Sequence, residues 1–204
     1  MRAEHPHLLA WVGARYVGLY GILVVLAWSF GEPAFERLKP AFKHELSALL
    51  PEFNVQTVDV VRSGREPAVR LDAIVHGAVF AGTQLTPVES GTRLSVSTTL
   101  GHIWQPVMLV VTFGFAWPAS TARRAAIRAL AVVLLCGLIV FADVPFVLAG
   151  TLRDIIYGCF APDEYAMATR WGDFMDGGGR LALGLSAGLI CAALGATGPT
   201  AKAR

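Results

Sequence analysis

The sequence predicts a membrane α-helical protein, with four transmembrane helices and a small α+β extracytoplasmic domain between helices 1 and 2. Three observations carry that expectation. Of 204 residues, 54% are hydrophobic and only 16% charged, where a soluble domain has about a quarter of its residues charged. Four segments are apolar over the roughly 17–25 residues that a span needs. The lysines and arginines are distributed unevenly among the segments between them.

The four spans cover residues 8–30, 103–119, 129–150 and 181–197. The second and fourth reach about 25 Å at 1.5 Å per residue, so both are expected to cross with little tilt. Trp11 and Trp28 in the first span, and Trp104 and Trp117 in the second, lie near the ends, where amphipathic rings favour the headgroup level. The first span reads as an anchor and not as a cleaved leader. Its apolar stretch is too long, Arg15 interrupts it, and no small-x-small site follows before Gly31.

Orientation follows from the basic residues. The N-terminus (Arg2, Glu4), the loop after span two (Arg123, Arg124, Arg128) and the tail (Lys202, Arg204) together hold six basic residues and one acidic residue. Residues 31–102 hold seven basic and eight acidic, and residues 151–179 two basic and five acidic. The positive-inside rule then puts both termini and the middle loop in the cytoplasm of a bacterial inner membrane. The expected segments are therefore 1–30, the cytoplasmic end and first helix; 31–102, the extracytoplasmic domain; and 103–150, helices two and three. An extracytoplasmic interfacial loop over 151–179 follows, then the fourth helix and tail over 180–204.

Within 31–102, Phe35, Leu38, Phe42, Leu46, Leu49 and Leu50 recur at helical spacing, with Pro40 marking a kink or the true helix start. Val69, Leu71, Ala73 and Val75 alternate with Arg70 and Asp72, as a half-buried strand should. Residues 55–62 and 93–100 are rich in Val, Thr and Ser, and Ser63-Gly64 and Ser90-Gly91 read as turns. The expected domain is an antiparallel sheet of three or four strands covered by one helix. At about 70 residues such a domain is marginal alone and leans on the membrane or a partner. In the later loop, Gly177-Gly178-Gly179 reads as a flexible hinge. It follows no strand and lacks the Lys-Ser/Thr pair of a phosphate loop.

Asp143 is the most informative single residue. It lies about seven residues, or roughly 10 Å, inside the outer end of span three, and an intramembrane carboxylate is a functional-site hypothesis by default. The structural reading has it brace a helix bent at Pro145, paired with His102 or Arg180; the functional one has it handle protons or ions. Arg15 lies about as deep from the other side, and its long side chain can snorkel to the headgroups or pair between helices. In span four, Gly184 and Gly188, continued by Ala192 and Ala196, form a small-residue face for close helix packing, within this bundle or on another protein.

Other chemistries fit poorly. The charge of +2 and the lack of a basic stripe argue against nucleic acid. Three cysteines without a CxxC or Cys/His cluster make neither a zinc site nor a disulfide framework. Cys159, with His76 or His102 nearby, would make a thiol nucleophile, although a cysteine among apolar residues is more often a packed hydrophobe. Asp154, Asp163, Glu164, Asp173 and Asp176 match no calcium loop. No metal, cofactor or catalytic residue is called for.

One stretch is similar to a known family. Thr99-Leu100-Gly101-His102-Ile103-Trp104-Gln105-Pro106, then Ala116-Trp117-Pro118-Ala119, Arg123-Arg124 and Asp143-Val144-Pro145-Phe146-Val147-Leu148 resemble the exosortase-associated small membrane proteins, particularly those paired with exosortase H. The resemblance covers residues 99–150. It implies an accessory role beside a membrane transpeptidase that processes tagged exported proteins, and not the peptidase itself. Exosortases carry a catalytic Cys and later Arg and His. This chain has Cys159 and Arg180 but no His after them. The leading expectation is a non-enzymatic accessory or scaffold that binds a membrane-protein partner within the lipid bilayer. A small transporter or channel component using Asp143 comes second, and an extracytoplasmic thiol enzyme third.

Overall fold

A computed structural model describes residues 6–63, 66–81, 83–161 and 167–195. The sequence expectations for Arg2, Glu4, Gly64, Asp163, Glu164, Ala196, Lys202 and Arg204 fall outside them. The elements run in the order α1 (Pro6–Leu49), β1 (Phe53–Ser63), β2 (Glu66–Val75), β3 (Phe80–Ala81), β4 (Gln84–Leu85), β5 (Arg93–Thr99), α2 (Leu100–Ala116), α3 (Ala122–Phe160) and α4 (Met167–Phe174). A π-helical turn (Met175–Gly179) and α5 (Arg180–Gly195) follow. The chain divides into two compact units. The first comprises Met1–Trp28, Gln105–Ile139 and Leu181–Arg204; the second comprises Ser29–Trp104 and Val140–Arg180.

Among the described residues, three helices are long and apolar enough to cross a membrane: Ala10–Leu49, Ala122–Phe160 and Met167–Gly195. This is a membrane α-helical fold with a small sheet. The expected fourth span is the exception. Its helix, α2, has 17 residues, about 25 Å against a hydrocarbon core of about 30 Å. It ends at Ala116 and not Ala119, because Trp117 precedes Pro118 and such a residue is pushed out of the helical region.

Two of the expected segment ends fall inside helices. The expected boundary at residues 30/31 lies within two residues of the division between the two units, at Trp28/Ser29, yet the helix itself runs on: α1 continues unbroken through Gly31, Pro33 and Pro40 to Leu49. Gly31 sits there because Trp104 presses on the helix: a Cβ would lie 2.7 Å from the indole Nε1. Each interior proline costs roughly 3 kcal/mol. Phe35, Phe42 and Leu46 are fully buried on that helix, and each contributes about 1.5–3 kcal/mol, so tertiary burial outweighs the prolines. Residues 150/151 likewise lie inside a helix, for a similar reason. Val144, Leu148, Leu152 and Ile156 form one buried stripe at four-residue spacing, which carries α3 past Gly150 to Phe160.

The sheet-bearing unit holds a three-stranded antiparallel sheet in the order β1-β2-β5, with a separate β3-β4 hairpin. Val69, Leu71, Ala73 and Val75 of β2 are buried, while Arg70 and Asp72 lie on the other face. The register pairs Thr57 with Asp72 and Asp72 with Ser95. The Thr57 hydroxyl (3.2 Å), the Arg70 Nε (3.2 Å) and the Ser95 hydroxyl all donate to the Asp72 carboxylate. At one sheet edge, Lys39 and Lys43 of α1 reach the Asp59 carboxylate and the Gln56 carbonyl of β1. The turn into β5 needs Gly91 at φ +92°, a left-handed conformation that side chains disfavour.

In this same unit α4 lies against α3. A Cβ on Gly150 would stand 2.3 Å from the Ala168 carbonyl oxygen, and the Thr169 hydroxyl donates to the Gly150 carbonyl at 3.3 Å. At the expected hinge, Gly177–Gly179, the chain is kinked between α4 and α5. Gly178 takes φ +111°, and a Cβ on Gly179 would meet the Phe174 carbonyl at 2.5 Å. These glycines serve a tight bend and a close approach. The other unit packs Val110, Val132, Ile139, Ala187 and Cys191 into its core.

Two outcomes are expected. Phe42→Ala removes a ring packed 5.3 Å from Phe35 and 5.2 Å from Phe141 between centroids; it should lower stability in detergent by about 3–5 kcal/mol, read as a fall in Tm. The hydrogen bonds from Ser95 and then Thr57, with the Arg70 charge, hold the Asp72 carboxyl below the usual carboxylate range. A depressed folded value means that its stabilisation is complete above about pH 3.9 and is lost as pH falls through the folded value. Asp72→Asn should therefore flatten the acid limb of the Tm-against-pH curve.

Candidate functional site

The buried charges of the sheet-bearing unit meet where α3 faces the start of α5. Asp143 lies on α3 beside Val144 and Val147, which are buried. Arg180 is the first residue of α5 and follows the glycine bend. Its Nε donates to Asp143 Oδ2 at 2.8 Å and its Nη2 to Oδ1 at 2.9 Å. The two bonds run in parallel, the strongest arrangement open to these groups. Residue exposures of 4% for Arg180 and 1% for Asp143 put the pair beyond water. The remaining terminal nitrogen, Nη1, donates to Asp176 one turn earlier, whose side chain is mostly exposed.

Aromatic side chains close one end. The Trp171 indole donates to the Ala142 carbonyl at 2.7 Å, next to Asp143 in sequence, and its ring lies 5.5 Å from that of Phe174. A guanidinium keeps its proton in proteins, so Asp143 faces a permanent counter-charge on both oxygens. This arrangement locks α3, the glycine bend and α5 together. It leaves neither carboxylate oxygen without a donor.

Of the two partners expected for Asp143, the structure brings Arg180 to it. His102, at an exposed position of α2, acts on Asp143 through its charge, without a hydrogen bond. Arg15 belongs to the other unit, where its guanidinium stacks 4.6 Å over the Trp11 ring, one turn earlier on α1. Cys159 is exposed, and among the described residues neither His76 nor His102 is bonded to it. Among those residues, too, no group of three His, Cys, Asp or Glu side chains is placed to hold a metal.

The small-residue face of α5 is used inside its own unit. A Cβ on Gly184 would lie 3.0 Å from Pro106 Cα, and one on Gly188 would lie 2.6 Å from Phe113 Cβ. Both glycines therefore let α5 approach α2 closely, and Ala192 is buried on the same helix.

Two features escaped the sequence reading. Arg128, counted there only as a cytoplasmic positive charge, is 2% exposed. It donates to the carbonyls of Trp117 and Pro118, just past the end of α2, and to Ala192 in the last turn of α5 at 3.5 Å. A cation there satisfies orphan carbonyls and opposes the negative ends of two helix dipoles. The Trp-Pro stop eleven and ten residues earlier was the available signal. Arg153 holds Glu52 through Nε (3.1 Å) and Nη2 (2.9 Å), and also the Leu49 carbonyl (3.0 Å). That clamp fastens α3 to the end of α1. At a separation of 101 residues it had no sequence signal.

No family profile, no curated protein and no solved structure matches this chain.

Removing one member of the buried pair strands the other charge. Asp143→Asn or Arg180→Gln should cost about 3–5 kcal/mol and reduce the amount of protein recovered from membranes. The double replacement Asp143→Leu with Arg180→Leu should restore most of the Tm, because a buried pair exchanged for apolar groups is often neutral. Gly188→Leu should lower Tm by itself through overpacking against Phe113, by about 1–3 kcal/mol.

Proposed function

We propose that this chain is a non-enzymatic accessory or scaffold protein of the bacterial inner membrane, holding a folded domain at the outer surface for a membrane-protein partner. The observation that carries this reading is the bidentate Asp143–Arg180 pair, a buried charge spent on holding helices together. Arg128 and Arg153 are used in the same way. Charges invested in shape suit a scaffold, whereas a transport site keeps a carboxylate open to its ion.

In this reading α2 is a fourth, short crossing. Both termini and the Arg123–Arg124 loop are cytoplasmic, and the sheet-bearing region of residues 31–102 is extracytoplasmic, as the positive-inside count indicates. The similarity of residues 99–150 to exosortase-associated proteins names the partner class: a membrane transpeptidase of the exosortase type. Partner contact is favoured on α1. Only 6% of its most apolar stretch is covered by the rest of the chain, against 39% for each of the other two candidate spans.

Mild-detergent purification through a tag on the C-terminus should recover a stoichiometric membrane enzyme with the wild-type chain. Asp143→Asn should lower the yield of both proteins together, in proportion to the loss of folded chain. Proton- or ion-driven flux in liposomes that vanishes in Asp143→Asn while Tm is retained would replace this reading with a transport function.

A further inference from the structure

We propose that the β3-β4 hairpin is a membrane-surface prong, whose Phe80 and Leu85 side chains enter the lipid headgroup region. Phe80 and Leu85 are direct partners in the hairpin register, so their side chains stand on one face. They are 54% and 63% exposed. Among the described residues from 31 to 126, they are the only large apolar side chains left exposed. Every other such side chain among the described residues lies on α1 up to Phe30, on α3, or on the α4–α5 segment, which are the three candidate spans. The pair thus shares the character of the lipid-facing surface while sitting in the sheet-bearing region.

Three further observations select a bilayer as the occupant. The run from Gly77 to Val88 contains no Asp, Glu, Lys or Arg, so no side-chain charge is desolvated when the hairpin meets an apolar phase. Residues 31–102 otherwise carry fifteen such residues. The base is rigid: the Thr86 amide and hydroxyl both donate to the Val79 carbonyl at 2.9 Å, and Val79, Ala81 and Thr86 are buried. A fixed base presents the pair without the ordering cost of a floppy loop. The region is also tethered to the membrane at both ends, by the unbroken α1 and by β5, whose last residue Thr99 is followed directly by Leu100 of α2. That tether keeps the lipid surface at high effective concentration.

The test is photocrosslinking of the full chain in liposomes of phosphatidylethanolamine and phosphatidylglycerol. Phe80→p-benzoylphenylalanine keeps an aromatic ring at the site, and Arg93→p-benzoylphenylalanine, at an exposed position on β5, serves as control. Leu85→p-benzoylphenylalanine provides a second probe should the first reduce folding. The expected result is a lipid adduct at residue 80 or 85 at least fivefold above that at residue 93, by mass spectrometry. Equal lipid labelling at all three positions would overturn the proposal. Adducts at 80 or 85 that run as a dimer would also overturn it, by making a second copy of the chain the occupant.

Discussion

A carboxylate taken out of water must find a counter-charge, and in this protein Asp143 finds it in the fork of Arg180. The neighbouring features of that unit serve this contact. Gly178 adopts a positive φ so that Arg180 opens α5 at the required place. Gly150 and Gly179 lack side chains so that α4 and the bend come close, and Trp171 ties its indole to the carbonyl next to Asp143. A looser arrangement would leave a buried charge short of donors, at a cost of about 3–5 kcal/mol.

The same economy recurs with other partners. Arg128 spends its donors on main-chain carbonyls left open by the ends of α2 and α5, and Arg153 grips both a carboxylate and the end of α1. In each case a guanidinium serves as a multivalent clip, because its planar donors can reach two acceptors at once. The polar chemistry of the chain thus goes into fixing helix ends. The glycines at 184 and 188 do the complementary apolar work by bringing α5 onto α2.

Much of the fold was legible locally. The alternation at Val69–Val75 and the Val/Thr-rich runs on either side predicted a sheet of three or four strands, and three pair as β1-β2-β5. The helical stripe from Phe35 to Leu50 is the buried stripe observed. Helices run on through Gly31 and Gly150 and bend at Gly177–Gly179. A glycine reads as a break in sequence, yet Gly31, Gly150 and Gly179 stand where a neighbour comes too close for a Cβ. Trp104, Ala168 and Phe174 are those neighbours, and none can be identified from the glycine alone. The extent of α2 was overestimated because an apolar run continues past the point where Pro118 stops the helix.

By itself the sequence determined that this is an apolar, helix-rich membrane protein with an alternating sheet region and a carboxylate inside its third apolar segment. These are local properties, set by composition and by periods of two or about four residues. Only the tertiary structure decided that Asp143 takes its hydrogen bonds from Arg180, that Arg128 is buried, and that Arg153 clamps Glu52. Those pairings join residues 37, 64 and 101 positions apart. Charge and spacing along the chain do not reveal which distant groups will share a dry site. That choice is made when helices pack and each buried polar group must find a donor or an acceptor.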